Sequence, residues 1–133
     1  MELQVGVKAF LKNKDRKYLL VRRSSEKYPE VGAKWDIVGG RIIPGTPLID
    51  NLKREIKEEV NLELTETPTL VAAQDILQIS DKHVVRLTYV GVIDGQPKLD
   101  DEHTEYGWFT IEEIKKLENV DKYFKELLDS NRF

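Results

Sequence analysis

Three glutamates in one short stretch could hold a divalent cation. Glu55, Glu58 and Glu59 are separated by one to four positions, so on an α-helix they fall within one arc of about 100°. Carboxylates placed this closely repel one another by a few tenths of a kcal/mol per pair unless a cation lies among them. Oxygen ligands grouped in this way suit Mg²⁺, which completes its coordination with water and substrate phosphates. The alternative is a solvated helix face whose basic neighbours offset the negative charge.

The segment 47–60 is predicted to form the helix that carries these glutamates. Thr46 is a good N-cap, and Pro47 suits the first helical position because its missing N–H costs nothing there. Asn61 can adopt the left-handed conformation that ends many helices. An apolar residue recurs every four positions, which predicts a face packed on the core: Leu48, Leu52, Ile56 and Val60, with Ile49 beside them.

Two glycines precede the helix, in the run KWDIVGGR at 34–41. Residues without side chains allow backbone to approach a metal or a phosphate closely. Trp35 begins the same run, and packing in the core is favoured for it over stacking on a nucleobase. The backbone at these glycines could therefore approach a metal or a phosphate.

The stretch 39–62 resembles the signature of the Nudix hydrolases: a Gly, five residues, a Glu, seven residues, then Arg-Glu-aliphatic-x-Glu-Glu-x-Gly-aliphatic. The matching positions are Gly40, Arg54, Glu55, Ile56, Glu58, Glu59 and Leu62. Thr46 stands in place of the first glutamate and Asn61 in place of the final glycine. Val38 stands where the family usually has a proline. The run EHTEYGWFTIEEIKKL at 102–117 resembles the stretch that closes many Nudix domains.

The resemblance implies a set of metal ligands. Glu55, Glu58, Glu59 and the Gly40 carbonyl would hold one to three Mg²⁺ ions, with Mn²⁺ as a substitute. Arg54 would orient Glu55 through a salt bridge rather than contact the substrate. A catalytic role is thus expected for Arg54, Glu55 and Glu58.

The resemblance also implies phosphate contacts and a general base. Arg41 is expected to contact phosphate, and one of Arg22 and Arg23 is favoured for the same role over a purely solvated position. A carboxylate from the loop after residue 94 joins the glutamates in many members. Glu102 is the first candidate and Glu105 the second, and the base stays open among the residues Glu55, Glu58 and Glu102.

The chain is expected to form a single Nudix-like domain over 1–133, an α/β protein with an α/β/α sandwich around a mixed β-sheet. Alternation predicts strands at 3–12 and 17–23, and β-branched and apolar residues predict strands at 69–79 and 83–93. A capping box of Thr110 and Glu113 predicts a helix after it. The amphipathic segment 120–133 is predicted to be a helix packed on the sheet, and 24–33 a loop bounded by Pro29 and Gly32.

The bulk properties narrow the class of partner. The 133 residues carry a net charge of −3, which gives no electrostatic reason to expect nucleic acid or anionic membrane as a partner. The absence of cysteine excludes disulfides and cysteine-based chemistry. With no apolar run long enough to span a bilayer and no apparent signal peptide, a cytoplasmic location is expected. A homodimer is left open.

The function that the resemblance implies is Mg²⁺-dependent hydrolysis of the pyrophosphate linkage in a small nucleotide. A nucleoside triphosphate, with oxidised ones among the candidates, would yield a monophosphate and pyrophosphate. Hydrolysis of dinucleoside polyphosphates such as diadenosine polyphosphates, or of ADP-ribose, is the next option. A module that binds nucleotides without cleaving them is the alternative of a different class, since Thr46 removes one carboxylate.

Overall fold

The computed structural model describes residues 1–23 and 34–133, so the loop predicted at 24–33 lies outside the described residues. Strands and helices follow one another within the described ranges. In chain order they are β1 (Glu2–Lys12), β2 (Tyr18–Arg23), β3 (Trp35–Asp36), β4 (Val38–Arg41), α1 (Leu48–Val60), β5 (Thr69–Ile76), β6 (Lys82–Val92), β7 (His103–Phe109), α2 (Ile111–Lys115) and α3 (Lys122–Asp129). No helix in these ranges is long and apolar enough to cross a membrane.

The strands form one mixed sheet around β1. Strand β1 pairs in parallel with β6 along its whole length, from Glu2 opposite Lys82 to Lys12 opposite Val92. It also pairs antiparallel with β4 and, at its end, with β2. Strand β2 continues the sheet to β3 and β7, and β6 continues it to β5. This arrangement confirms the predicted mixed sheet.

Helices cover both faces of the sheet, which confirms the predicted α/β/α sandwich. Alternate residues of β1 point to opposite faces, so Val7, Ala9 and Leu11 pack against α1 whereas Phe10 packs against α3. On the α1 face the helix contributes Leu52, Ile56 and Val60, all fully buried. On the other face α2 and α3 contribute Ile114, Phe124 and Leu128.

Helix α1 begins one residue later than predicted. Pro47 is its N-cap and makes no side-chain cap hydrogen bond, so the prediction of Thr46 as the cap was wrong. Leu48, predicted to be buried, is 37% exposed and lies in the first turn of the helix. The predicted end of the helix is confirmed, since Asn61 adopts the left-handed conformation at φ 57°.

The first turn of α1 is held instead by the side chain of Asn51, which is fully buried. Its Nδ2 donates to the Thr46 and Pro47 carbonyls, each at 2.9 Å, and its Oδ1 accepts from the Ile43 N–H at 2.9 Å. One amide therefore joins the turn at 43–47 to the helix.

Replacing Asn51 with alanine is expected to lower the free energy of unfolding by about 2–3 kcal/mol, because it leaves buried backbone groups without partners. The corresponding fall in Tm is roughly 6–12 °C for a chain of this size. Differential scanning calorimetry would measure it. Lys53→Ala, on the exposed side of the same helix, is the control and should change stability by less than about 0.5 kcal/mol. An equal effect of the two changes would contradict the bridging role of Asn51.

The remaining elements follow the sequence closely. The capping box of Thr110 and Glu113 is confirmed by both of its hydrogen bonds. Helix α3 begins after Asp121, whose carboxylate accepts from the Tyr123 and Phe124 N–H groups. The strand predicted at 69–79 ends at Ile76, before the exposed Leu77 and Ile79 of the hairpin turn.

Candidate active site

One cavity of about 390 Å³ contains the three glutamates of α1. Helix α1 supplies these glutamates, strand β4 supplies two glycines, and the loop before β7 supplies further carboxylates. The described residues that line it are Arg23, Gly39, Gly40, Glu55, Glu58, Glu59, Asp100, Asp101 and Glu102. The glycines and glutamates predicted to share a site therefore lie together.

The three glutamates differ sharply in environment. Glu59 lies on the core side of α1 and is only 6% exposed, whereas Glu58 faces solvent and Glu55 is partly buried. The Gly39 N–H donates to Glu59 Oε2 at 2.7 Å. Burial raises the pKa of Glu59 to about 8, against the attraction of the Lys8 ammonium and of that N–H. A buried carboxylate of this kind gains most from a cation beside it.

Strand β4 approaches the helix at its glycines. Gly39 has φ 146°, and a Cβ at this position would lie 2.0 Å from the Val7 carbonyl oxygen. A Cβ at Gly40 would instead lie 2.8 Å from Glu55 Oε2. The sequence predicted that backbone comes close to another group at these glycines. At Gly40 the group that an added Cβ would meet is the carboxylate of Glu55.

Arg54 connects the glutamates to the turn before the helix. Its Nη1 donates to Glu55 Oε1 at 2.9 Å and to Glu58 Oε2 at 3.3 Å. Its Nη2 donates to Asn51 Oδ1 at 3.1 Å and to the Arg41 carbonyl at 3.3 Å. The predicted ion pair with Glu55 is therefore present, and Arg54 holds two glutamates rather than one.

Sequence reasoning missed a histidine beside Glu59. His103 is buried, with its Nδ1 2.7 Å from Asp100 Oδ1 and its Nε2 3.8 Å from Glu59 Oε1. Asp100 Oδ1 also accepts from the Glu102 and His103 N–H groups. The Glu-His pair at 102–103 was a visible signal for this histidine, but it was used only to select Glu102.

The loop at 94–101 is docked on the end of α1 rather than free. The Lys98 N–H donates to the Val60 carbonyl at 2.9 Å, and the Asp100 N–H donates to the Glu59 carbonyl at 3.1 Å. These bonds satisfy carbonyls that a helix end leaves unpaired. They also bring Asp100, Asp101 and Glu102 to the cavity, whereas Glu105 pairs with Arg22 on the surface at 3.0 Å.

The three arginines considered as phosphate contacts also differ in where they lie. Arg23 lines the cavity, while the Arg22 guanidinium contacts Glu105 and lies 4.9 Å from the centre of the Trp35 ring. Arg41 is exposed at the end of β4, with Nε bonded to Gln4 at 2.9 Å. Partial desolvation of its guanidinium, and then the positive charges of Arg86 and Arg23, lower the pKa of Arg41. Of the pair Arg22 and Arg23, the geometry favours Arg23 as a phosphate contact.

Packing and pairing within the fold engage three further ring side chains, those of Trp35, Tyr89 and His83. Trp35 packs edge-on against Phe109 with ring centres 5.3 Å apart. Tyr89 is buried in the core on the α1 face, and His83 pairs with Asp75 at 2.7 Å. Packing was the favoured interpretation for Trp35.

The fold and this cavity define a domain in which the glutamates of helix α1 face the glycines of strand β4. The family model described as NUDIX domain matches residues 2–128. The chain belongs to the NUDIX family.

Two solved structures are similar over nearly the whole chain. The MutT protein from Methanosarcina mazei Go1 is 27% identical, with a TM-score of 0.84, over 97% of this chain and 92% of that one. A MutT NUDIX hydrolase from Burkholderia pseudomallei is 26% identical, with a TM-score of 0.81, over 97% of this chain and 98% of that one.

A curated relative matches a shorter part of the chain. "Putative 8-oxo-dGTP diphosphatase 2" of Mycobacterium tuberculosis is 26% identical over 92 residues, which are 69% of this chain. The chain spans 64% of that relative's length.

Proposed function

We propose that the protein is a Mg²⁺-dependent hydrolase of the pyrophosphate linkage in a small nucleotide. The observation that carries the proposal is the single cavity in which Glu55, Glu58 and Glu59 meet the β4 glycines. Membership of the NUDIX family supports the reaction class. A nucleoside triphosphate is the proposed substrate, with a monophosphate and pyrophosphate as products.

The residues present fit a hard divalent ion. The cavity is lined by carboxylate oxygens of α1 and of the loop before β7, and oxygen donors are the ligands that Mg²⁺ prefers. The buried Glu59 accepts the Gly39 N–H and is attracted by Lys8, yet its pKa stays raised to about 8, so a cation beside it would be favourable. Glu55, Glu58, Glu59 and the Gly40 carbonyl are the proposed ligands. When bound, the ion would neutralise charge on phosphoryl oxygens and lower the pKa of a coordinated water.

The chain's own residues have separate tasks in this proposal. Arg54 holds Glu55 and Glu58 in position through its two ion pairs, so removing it should disturb both carboxylates. Arg23 and Arg41 bind substrate phosphates, which arginine contacts well through two parallel N–H groups. Three carboxylates stay candidates for accepting the proton of the attacking water: Glu55, Glu58 and Glu102.

The substrate class draws support from the relatives. One curated relative carries an 8-oxo-dGTP diphosphatase name and two similar structures are MutT proteins. Oxidised nucleoside triphosphates are therefore the first compounds to test. Dinucleoside polyphosphates and ADP-ribose follow.

The test is to incubate the protein with a nucleotide panel in Mg²⁺ and in H₂¹⁸O, and to identify the products by mass spectrometry. The panel holds normal and oxidised triphosphates, diadenosine tetraphosphate, ADP-ribose and dihydroneopterin triphosphate. We expect release of a monophosphate that stops on addition of EDTA and returns with excess Mg²⁺. The position of ¹⁸O identifies the phosphorus that water attacks. Turnover that continues at full rate in EDTA would contradict the metal requirement.

A nucleotide-binding module without hydrolysis is the second candidate, because Thr46 replaces a glutamate of the family signature. Thr46 is not among the described residues that line the glutamate cavity, which favours hydrolysis. Tight binding of one panel member with no turnover under any metal condition would support the binding module. Thr46→Glu would then be expected to restore measurable turnover.

A further inference from the structure

His103 places an imidazole nitrogen beside the most buried carboxylate of the glutamate cavity. Its side chain is 3% exposed, and its Nε2 lies 3.8 Å from Oε1 of Glu59, whose side chain is 8% exposed. One donor atom each from Glu59, Asp100 and His103 lie within 4.8 Å of one another, a spacing at which they could share one ion. The glutamates of α1 offer only oxygen, so this nitrogen is a ligand of a different kind.

The carboxylate of Asp100 determines which ring nitrogen of His103 is free. Asp100 Oδ1 accepts from the N–H groups of Glu102 and His103, each at 3.2 Å, and lies 2.7 Å from His103 Nδ1. Because this oxygen acts as an acceptor, Nδ1 is the nitrogen that donates, and in the neutral ring the lone pair is at Nε2. Histidines that bind metals in proteins usually show this arrangement, with the other ring nitrogen bonded to a carboxylate or a carbonyl.

The free nitrogen and the nearest carboxylate oxygen are held opposite each other by bonds of the fold. The Gly39 N–H donates to Glu59 Oε2 at 2.7 Å, which leaves Oε1 as the oxygen that faces His103. The Asp100 N–H donates to the Glu59 carbonyl at 3.1 Å and so joins the loop before β7 to helix α1. Ligands that are in position before an ion binds reduce the entropy cost of binding it.

Nε2 of His103 has no hydrogen-bond partner among the described residues, because 3.8 Å to Glu59 Oε1 is too long for a hydrogen bond. A lone pair and a carboxylate oxygen that face each other inside a protein are unfavourable unless a proton or a cation lies between them. Two ligands at about 2.1 Å from one ion stand about 3.0–3.5 Å apart. A movement of about half an ångström would therefore bring this pair to the spacing of two ligands on one ion.

We infer, on the basis of the metal site proposed for this cavity, that His103 Nε2 is a ligand of the divalent ion beside Glu59, and that this ion is held more tightly as Mn²⁺ or Co²⁺ than as Mg²⁺. Mg²⁺ prefers oxygen ligands and keeps several waters, whereas imidazole nitrogen suits transition-metal ions. The burial of Glu59 and His103 leaves little space for water on their side of the ion, which adds to the same preference.

The direct test is ¹⁵N NMR of the imidazole nitrogens while metal-free wild-type protein is titrated with Zn²⁺, a diamagnetic ion that accepts histidine ligands. The chain has only two histidines, and His83, which pairs with Asp75 outside the glutamate cavity, is the internal reference. We expect the Nε2 resonance of His103 to move to the position of a metal-bound nitrogen with one equivalent of Zn²⁺, while both resonances of His83 stay unchanged.

The preference among ions is tested by calorimetric titration with Co²⁺ and Mg²⁺. We expect the wild type to bind Co²⁺ at least about tenfold more tightly than Mg²⁺. His103→Gln has an amide in place of the ring nitrogen and should weaken Co²⁺ binding at least about tenfold but Mg²⁺ binding less than about threefold. A residue that only supported the fold would weaken both ions alike. His83→Gln is the matched control and should change neither affinity.

An unmoved His103 resonance at millimolar Zn²⁺ would overturn the inference, as would equal affinities of the wild type for Co²⁺ and Mg²⁺ or a Co²⁺ preference that survives in folded His103→Gln. If that variant does not fold, the wild-type titrations still give the answer. A Zn²⁺-induced shift of His103 in a protein that cleaves no nucleotide would support the ligand and contradict the proposed hydrolysis. Mg²⁺-dependent cleavage with an unmoved resonance would do the opposite.

Discussion

Glu59→Gln is expected to lower kcat by at least about a hundredfold while leaving the folded protein intact. Glutamine keeps the shape and can still accept the Gly39 N–H that now bonds to Oε2 at 2.7 Å. It lacks the charge with which Glu59 would hold a divalent ion, and loss of a ligand of this kind removes most of the stabilisation that the ion gives the reaction. Steady-state kinetics over a range of Mg²⁺ concentrations would measure the loss.

Glu59→Gln should also make the metal-free protein more stable at high pH. The pKa of Glu59 is about 8 in the metal-free folded protein, above the ordinary value of 4.5. The folded state therefore binds this proton more tightly than the unfolded chain, and the free energy of unfolding falls as pH rises from about 4.5 to about 8. Glutamine does not titrate, so metal-free Glu59→Gln should have a higher Tm than the wild type at pH 9 and a similar one at pH 5.

The control for both effects is Glu63→Gln. Glu63 is exposed and lies 4.0 Å from Lys57, outside the glutamate cavity. Its replacement should change neither kcat nor the pH dependence of Tm. A loss of kcat below threefold in Glu59→Gln would exclude Glu59 as a direct ligand, and a lower Tm at pH 9 would contradict the high pKa.

Gly39→Ala is expected to destabilise the fold by more than about 3 kcal/mol. At φ 146° an added Cβ would lie 2.0 Å from the Val7 carbonyl oxygen and 2.7 Å from the Lys8 Cα. Both atoms are backbone of the central strand, so relief requires the β1–β4 pairing to shift. Chemical denaturation, or a low yield of folded protein, would reveal the effect.

The neighbouring glycine should give a different result. A Cβ at Gly40 meets the end of the Glu55 side chain, at 2.8 Å from Oε2, and that end can move at little cost in stability. Gly40→Ala should therefore stay folded but lose at least about tenfold in kcat, because Glu55 is displaced. Gly45→Ala is the backbone control: its φ is 89° with no atom within 4 Å, so only about 1–2 kcal/mol is expected. Equal stability of Gly39→Ala and Gly45→Ala would contradict the steric argument.

The sequence was most informative where structure is local. Helix α1 and its left-handed end at Asn61 follow from a repeat of four and from residue type, and the alternation at 3–12 predicted strand β1. These features depend on neighbours a few positions apart. The glutamate spacing also belongs to a single helix, so the meeting of Glu55, Glu58 and Glu59 at one cavity could be anticipated.

Contacts between distant segments could not be anticipated. Asp100 and His103 reach Glu59 only because their loop bonds to the carbonyls at the end of α1. Ion pairs also join three separate strands through Lys8, Asp36 and Arg86, and each of these residues alone looks like an ordinary surface charge. The N-cap of α1 is Pro47 rather than Thr46, and the turn before the helix is held through the buried side chain of Asn51. Residue type does not reveal which of two polar groups the turn will use.

The pairing of β1 with β6 also determines when the chain can fold. Residues 2–12 form their longest ladder with residues 82–92, and such distant partners require a large loop to close before any contact is gained. The two flanking cores share β1, so neither can be completed without it. During synthesis on the ribosome β1 can pair early with β2 and β4, but its other edge must wait for its β6 partner until residue 92 has left the exit tunnel. This interval exposes the nascent chain to aggregation and to chaperones more than a protein built from sequential hairpins.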